Sequence, residues 1–303
     1  MKMSKKYFVA SDIHGNFDAW MKALDEAGFD RDNENHCIVI CGDLMDRCEK
    51  PRECLTFAVE MHKAGRAILI RGNHEVLLWD ALQCRYFEPH DISNGTAQTC
   101  YDLADLGGRA SHTAVCEKCL EDEDLKYYFD HLVNYAESDE FIFCHSWIPL
   151  DTSTKPYGYR VDWRNAHQSE WDDAMWENPF EYVKRGLNQT GKIIVFGHWN
   201  TSWQRSHIDQ EYKEFPQKTH ADFPGAFMTY YGKGFIGLDA CTAYSGIVNM
   251  IVVEGQEIFV ENEEELIYMS SKEALKDVVP FNFNESSNIE VNMATDQCSI
   301  GER

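Results

Sequence analysis

Ile38-Val39-Ile40-Cys41-Gly42-Asp43-Leu44-Met45-Asp46-Arg47 joins a short, unbroken apolar run to a turn that carries two carboxylates and an arginine. A run of that length, rich in β-branched residues and free of internal polarity, reads as a strand buried on both faces. Four more runs share the design. Tyr7-Phe8-Val9-Ala10-Ser11 leads into Asp12 and His14, and Ala67-Ile68-Leu69-Ile70 into Arg71-Gly72-Asn73-His74-Glu75. Phe141-Ile142-Phe143-Cys144 leads into His145, and Ile193-Ile194-Val195-Phe196 into Gly197-His198. Ligands of open α/β sheets sit outside the carboxyl ends of the strands, so five polar clusters at five strand ends predict one shared site.

The side chains at those ends are metal ligands by chemistry. Carboxylate, imidazole and amide oxygen suit hard to borderline divalent ions such as Mn²⁺, Fe²⁺ or Zn²⁺. A spacing of two puts Asp12 and His14 on one face of an extended chain. The inventory serves two ions, with Asp12, His14 and Asp43 around one and Asp43, Asn73, His145 and His198 around the other. Asp43 would bridge them at the roughly 3.5–4 Å separation of two-metal phosphoesterase sites.

Asp12-Ile13-His14-Gly15-Asn16, Gly42-Asp43-Leu44-Met45-Asp46-Arg47, Arg71-Gly72-Asn73-His74-Glu75 and the single histidines at 145 and 198 resemble the calcineurin-like metallophosphoesterases. The resemblance is greatest to the branch of serine/threonine phosphoprotein phosphatases and bacterial symmetrical diadenosine tetraphosphatases. Gly237 to Gly246 resembles that branch's late strand and loop, so the likeness runs from Asp12 to about Gly246. It implies an α/β fold of two packed mixed β-sheets flanked by helices, a four-layer αββα sandwich. It also implies a hydrolase with two divalent metal ions, Mn²⁺ foremost and Fe, Zn²⁺ or Mg²⁺ as alternatives. This sequence departs from the pattern at Asn200, where the wider superfamily often has a second histidine, and at Cys48, Ser11 and Ser146. Those changes bear on the shape of the substrate pocket and leave the ligands in place.

Hydrolysis of a phosphate ester needs a nucleophile at neutral pH, neutralised phosphoryl oxygens and a proton for the leaving oxygen. Two divalent ions supply the first and part of the second. Arg47 and Arg71 follow strand ends and are candidates to bind phosphoryl oxygens, Arg71 alternatively as partner of a buried carboxylate. Arg164, in Val161-Asp162-Trp163-Arg164, resembles the family's downstream phosphate-binding arginine. His74 directly follows the ligand Asn73 and is the natural general acid. Asp46 resembles the carboxylate that pairs with that histidine in the family. Asp239 is a candidate for support of the site from behind the ligands. The expected activity is a serine/threonine-phosphatase-like monoesterase, with a symmetrical dinucleoside polyphosphate hydrolase and a non-catalytic phosphate-binding scaffold as alternatives. The partner is accordingly a phosphorylated protein or a small-molecule phosphate. Tyr157, Tyr159, Trp163, Trp171 and Trp176 are either stacking faces for bases or a half-buried lid.

Composition narrows the setting. At 303 residues, 44% hydrophobic and 13% aromatic, the chain has material for one large core. With 28 basic against 51 acidic side chains the net charge is −23, which repels nucleic acid and argues against a polymer of that kind as partner. The apolar run after the N-terminal lysines is too short for a signal-peptide core, and no stretch approaches the roughly 20 apolar residues that span a bilayer. Eleven scattered cysteines fit reduced thiols and a cytoplasmic setting. Cys116-x-x-Cys119 is a single pair without a second at finger spacing, so a structural role is expected, with His112 and Cys100 near enough to keep a metal alternative open.

Helices are expected over Phe17 to Gly28, Pro51 to Gly65 and His74 to about Gln83, the first with Asn16 as its N-cap. The expected domain covers residues 1–265. Between Phe87 and Asp139 no strand-end motif occurs, and Thr96 to Leu106 and Glu117 to Val133 look helical, which predicts an inserted helical cap beside the site. Trp147 to Gly191 reads as a long aromatic connection with helices near His167 to Met175 and Phe180 to Leu187. Late strands are expected over Gly246 to Val253 and Glu257 to Glu261. A short helix and polar tail over 266–303 complete the chain.

Overall fold

The computed structural model describes residues 5–210 and 223–260. Eleven strands appear there in chain order: β1 (Lys6–Ala10), β2 (His36–Cys41), β3 (Ala67–Ile70), β4 (Tyr135–Glu137), β5 (Phe141–Cys144), β6 (Leu150–Asp151), β7 (Gly158–Tyr159), β8 (Ile193–Phe196), β9 (Tyr230–Gly232), β10 (Phe235–Gly237) and β11 (Met250–Glu254). They form two mixed sheets and a small β6–β7 ribbon. The first sheet has the order β11-β1-β2-β3, with β1, β2 and β3 parallel and β11 antiparallel at the edge. The second has the order β4-β5-β8-β10-β9, with a parallel centre of β5, β8 and β10.

Each central strand is apolar throughout because both its faces are covered. Tyr7, Val9, Val39 and Cys41 point inward and pack against Phe143, Val195 and Ile236 of the other sheet. Their neighbours Phe8, Ala10, Ile38 and Ile40 point outward onto Trp20, Leu55, Ala58 and Leu78 of the helices. Ile142, Ile194 and Phe196 of the second sheet point away from the first and meet Trp147, Trp163, Trp171 and Phe180. The alternation therefore produces helix, sheet, sheet and helix layers, the four-layer arrangement.

Three helices follow the strands of the first sheet. α1 (Phe17–Glu26) begins under an Asn16 side chain that accepts the Ala19 N–H, α2 (Pro51–Lys63) opens on a proline, and α3 (Asn73–Cys84) starts directly at the end of β3. The segment expected as a cap contains α4 (Pro89–Ser93), α5 (Thr96–Ala104), α6 (His112–Glu121) and α7 (Glu123–Asp130). Their apolar residues Cys100, Val115, Cys116, Leu125 and Phe129 join the same core cluster as Leu55 and Leu82, so these helices thicken the outer layer over α2 and α3. The segment also ends in β4, an edge strand whose three residues carry too short a pattern to show in the sequence. α8 (Gln168–Ala174) and α9 (Pro179–Lys184) fall where helices are expected.

Cys116 and Cys119 are buried on α6, where their thiols meet the carbonyls of Ala81 and Cys100. They are core residues, and every described cysteine is a free thiol. Of the late strands, the first is present as β11, whereas Phe259 makes a single bridge to Glu137. The expected C-terminal helix and tail lie outside the described residues. No described helix is long and apolar enough to cross a membrane.

Candidate metal centre

Register brings the five strand ends to one level. Ala10 pairs with Ile40 and Cys41 with Ile70 in the first sheet, and Phe143 with Val195 in the second. Beyond those pairs the backbone turns sharply. Asp12 and His14 both have φ of 51°, Asp43 55° and His198 64°. Left-handed conformations are costly for most side chains and tolerated best by Asn, Asp and His, the types found here. Asp12 and His14 thus share a side because the chain curls at each of them, not because it is extended as their spacing implies. Gly42, with φ of 82°, is required twice over, since a Cβ there would lie 2.4 Å from His145 Nδ1 and 2.8 Å from the Gly72 Cα.

Two donor sets result, and they meet at Asp43. His14 Nδ1 is 3.2 Å from the Met45 carbonyl and donates to it, which leaves the Nε2 lone pair facing Asp43 Oδ2 at 3.7 Å and Asp12 Oδ1 at 4.0 Å. On the other side, His145 Nδ1 donates to the Cys41 carbonyl at 2.9 Å, so its Nε2 is an acceptor. That nitrogen faces Asn73 Oδ1 at 2.8 Å and Asp43 Oδ1 at 3.4 Å. His198 Nδ1 is 3.0 Å from the same Asn73 oxygen. Donor atoms about 2.1 Å from a shared cation lie about 3–4 Å from one another, as these do.

Electrostatics call for positive charge at both points. Burial pushes the His145 imidazole down to about 4, so at neutral pH Nε2 carries no proton to offer its acceptor neighbours. Burial likewise lowers His14 and His198. Burial first and then Asp239 push the Asp12 carboxyl well up, and burial followed by Asp12 and Glu75 does the same to Asp43. Neutral imidazoles and mutually repelling carboxylates, all buried except the half-buried His198, fit two bound cations and fit poorly without them.

His74 stands beside the donors, its Nε2 3.9 Å from Asp43 Oδ2. Both its nitrogens are engaged. Nε2 lies 3.0 Å from Arg47 Nη2, and because a guanidinium only donates, Nε2 accepts and the ring proton is on Nδ1. Nδ1 then donates to Asp46 Oδ2 at 2.8 Å. Burial raises the Asp46 carboxyl to about 6, opposed by the hydrogen bond from the Thr96 hydroxyl and by Arg47. Arg47 itself is exposed.

The structure separates the remaining candidates. Arg71 is buried and bonds to Asp172 and Asn134, on the His145 side of the site. Arg164 is elsewhere: it grips Glu137 with two hydrogen bonds of 2.6 and 2.8 Å, at the end of β4 that lies beside the start of β5, whereas His145 follows the far end of β5. The spacing in Val161-Asp162-Trp163-Arg164 carried no information about which end of the sheet the loop would reach. Asp239 is buried beside Asp12 and accepts the Cys241 N–H at 2.6 Å. Asn200 accepts the Trp203 N–H and so serves as a helix cap. Of the aromatic candidates, Trp163 and Trp171 are core residues, Tyr157 and Tyr159 are half-buried, and Trp176 is 46% exposed with its ring edge-on to His198 at 6.3 Å.

Among the residues that support the ligands, Glu75 had no role assigned from the sequence. Glu75 is buried and its carboxylate accepts four hydrogen bonds, from the N–H groups of Gly72 at 2.8 Å, Asp43 at 2.9 Å and Leu44 at 3.0 Å, and from the Tyr128 hydroxyl at 3.0 Å. It ties the Asp43 loop to the start of α3. A glutamate three residues after a helix N-cap is the spacing of a capping box, and that was the available signal.

Residues 5–226 match the family model described as Calcineurin-like phosphoesterase. The chain belongs to this family. It is therefore a hydrolase of the phosphoesterase kind, with divalent metal ions implied. Over 83% of its length the calcineurin-like chain is 22% identical to the symmetrical bis(5'-nucleosyl)-tetraphosphatase of Vibrio vulnificus, covering 96% of that protein. It is 27% identical over 51% of its length to the asymmetrical bis(5'-nucleosyl)-tetraphosphatase PrpE of Bacillus subtilis. The chain spans 57% and 62% of the lengths of the two Bacillus relatives it matches. Among solved structures, the cold-active protein-tyrosine phosphatase of a Shewanella species aligns with a TM-score of 0.48 at 15% identity, over 83% of this chain and 76% of that one. A protein serine/threonine phosphatase from Saccharomyces cerevisiae aligns with a TM-score of 0.41 at 15% identity, over 65% and 62%.

Proposed function

We propose that this calcineurin-like phosphoesterase hydrolyses phosphate esters and anhydrides of small molecules at a two-cation centre, with dinucleoside polyphosphates as the substrate class. The carrying observation is the pair of donor sets that share Asp43, each oxygen of its carboxylate facing a different set of neutral imidazoles. Asp12, His14 and Asp43 would hold one ion, and Asp43, Asn73, His145 and His198 the other. When bound, two such ions, Mn²⁺ in the first instance, activate a water and polarise the phosphoryl oxygens.

The chain's own residues supply the rest. Burial and then the Arg47 charge keep His74 Nε2 unprotonated. Arg47 leaves Nε2 to bind a phosphoryl oxygen, and Nε2 then takes a proton from solvent water and delivers it to a departing alkoxide or phenoxide oxygen. Asp46 holds the Nδ1 proton throughout and so keeps the ring aimed. Arg71 fixes the wall beside His145 through Asp172. Arg164 is left out of substrate binding because its carboxylate partner Glu137 occupies it at the opposite end of the sheet.

The substrate class is supported by relatives aligned over most of their length, whose names specify bis(5'-nucleosyl)-tetraphosphate, and by the exposed Trp176 indole beside His198, which offers a base a stacking face. A phosphoserine or phosphothreonine side chain is the second reading. Turnover of diadenosine tetraphosphate, a phosphopeptide and p-nitrophenyl phosphate with Mn²⁺, side by side, tests both. Efficient cleavage of the dinucleotide is expected; preference for the phosphopeptide would transfer the substrate class, and no turnover of any of them by metal-loaded protein would sink the catalytic reading. His74→Asn should lose about 10²–10⁴-fold on phenyl phosphate and much less on p-nitrophenyl phosphate, whose leaving group needs no proton.

A further inference from the structure

We infer that Thr96, in the helical segment between β3 and β4, is a positioning residue that orients the proton donor His74 by way of Asp46. The inference rests on the hydrolytic reading given above and adds a residue from outside the strand-end motifs. Thr96 is fully buried, and its hydroxyl donates to Asp46 Oδ2 at 2.6 Å. The same oxygen accepts the His74 Nδ1 proton at 2.8 Å. One carboxylate oxygen therefore receives two donors, and the direction of its lone pairs toward His74 is set by where Thr96 stands.

The contact is built into the backbone on both sides. Asp46 and Arg47 have φ of 69° and 70°, two successive left-handed residues that form a tight turn. Gly95, with φ of 86°, lies on that turn so closely that a Cβ there would be 2.5 Å from the Arg47 nitrogen and 2.8 Å from its Cα. Thr96 is the first residue of α5, and the rest of α5 is anchored by Cys100 and Leu103 in the core shared with α2. Gly95 thus permits the approach, α5 fixes it, and the Thr96 hydroxyl transmits it to Asp46. A purely structural threonine would need neither the short bond to a carboxylate already committed to His74 nor a glycine that opens the way to it.

The test compares Thr96→Val, Thr96→Ser and Thr96→Ala in the full chain loaded with Mn²⁺, on phenyl phosphate and p-nitrophenyl phosphate. Valine keeps the shape and removes the hydroxyl, so kcat on phenyl phosphate should fall about tenfold with KM within about twofold, the signature of an interaction used in the transition state. The loss on p-nitrophenyl phosphate should stay within about threefold, because that leaving group makes little use of an acid. Thr96→Ser should restore phenyl phosphate turnover to near the wild-type rate. In a His74→Asn background, Thr96→Val should add nothing. Equal losses on both substrates, failure of serine to rescue, or an undiminished effect in the His74→Asn background would each overturn the inference. If the valine protein proves too unstable to purify, the serine and alanine pair gives the same contrast. Inactivity of metal-loaded wild-type protein toward both esters and toward diadenosine tetraphosphate would instead overturn the function on which it rests, whereas cleavage of the dinucleotide alone, whose departing phosphate makes little use of an acid, would overturn the inference.

Discussion

Glu75→Gln is the perturbation whose consequences can be worked furthest. The carboxylate accepts four donors, two at each oxygen, and is buried among them. Glutamine keeps one carbonyl oxygen, which can serve either pair, and sets an NH₂ group against the other. Two donors therefore lose their acceptor, and the two that remain exchange a charged acceptor for a neutral one. An unsatisfied buried donor costs about 1–3 kcal/mol and a charge-assisted bond exceeds a neutral one by about 1 kcal/mol, so with two of each the change should destabilise the fold by roughly 4–8 kcal/mol. At about 2 °C per kcal/mol for a chain of this size, the melting temperature should drop by roughly 8–16 °C. The functional effect is more telling. Asp43 and Asn73 leave the backbone on the two sides of the Glu75 contacts, so both cations should loosen, with Mn²⁺ affinity falling about 10–100-fold. Calorimetric Mn²⁺ titration and thermal melts read the two effects separately. Tyr128→Phe removes one donor of the four and should show a smaller fall of both. Unchanged Mn²⁺ affinity, within about twofold, in a Glu75→Gln protein that melts like wild type would refute the role assigned to this carboxylate.

Other outcomes follow from the same geometry. Asp43→Asn should abolish tight binding of both cations, whereas Asp12→Asn should spare one, so elemental analysis after Mn²⁺ loading should find less than one ion per chain in the first and about one in the second; equal stoichiometries would remove Asp43 from the bridging position. Trp176→Ala should raise KM for diadenosine tetraphosphate by roughly 5–150-fold, the range of base stacking on an aromatic face, and leave p-nitrophenyl phosphate unaffected; a parallel effect on both would assign Trp176 to site structure. Burial raises the Glu137 carboxyl, but hydrogen bonds from Arg164 and Lys192 outweigh it and hold the group below its ordinary 4.5. A depressed folded value means that the stabilisation is complete above the ordinary value and drains away as pH falls from about 4.5 through the folded one. Glu137→Gln should thus cost stability at neutral pH and flatten the melting profile below pH 4.5; a profile as steep as wild type would show that other carboxylates carry the acid response.

How much of this was open to reading depends on how far apart in the chain the interacting groups lie. Strand-end clusters such as Asp43-Leu44-Met45-Asp46 and Asn73-His74-Glu75 are local: a buried apolar run and the polar residues after it are contiguous, so both the strand and the direction of its ligands show in one stretch. The order of the sheets, and hence the meeting of His145 with Asn73, came through because every cluster obeys the same carboxyl-end rule. What stayed hidden was contact across long separations without a repeated pattern. Thr96 and Asp46 are fifty residues apart, as are Glu75 and Tyr128 to within a few, and nothing in either segment names its partner. Trp163 and Trp176 illustrate the same limit in reverse: both are tryptophans of the connection between β7 and β8, yet Trp163 packs edge-on against Tyr135 in the core while Trp176 stays open beside His198. The curl at Asp12 and His14 shows why local reading nonetheless picked residues that the fold brings together. Asp and His are among the few residues that accept a left-handed backbone, so the side chains that bind cations are also those that let a strand end turn its ligands inward. Chemistry and conformation select the same residues at these positions, and a motif read for one predicts the other.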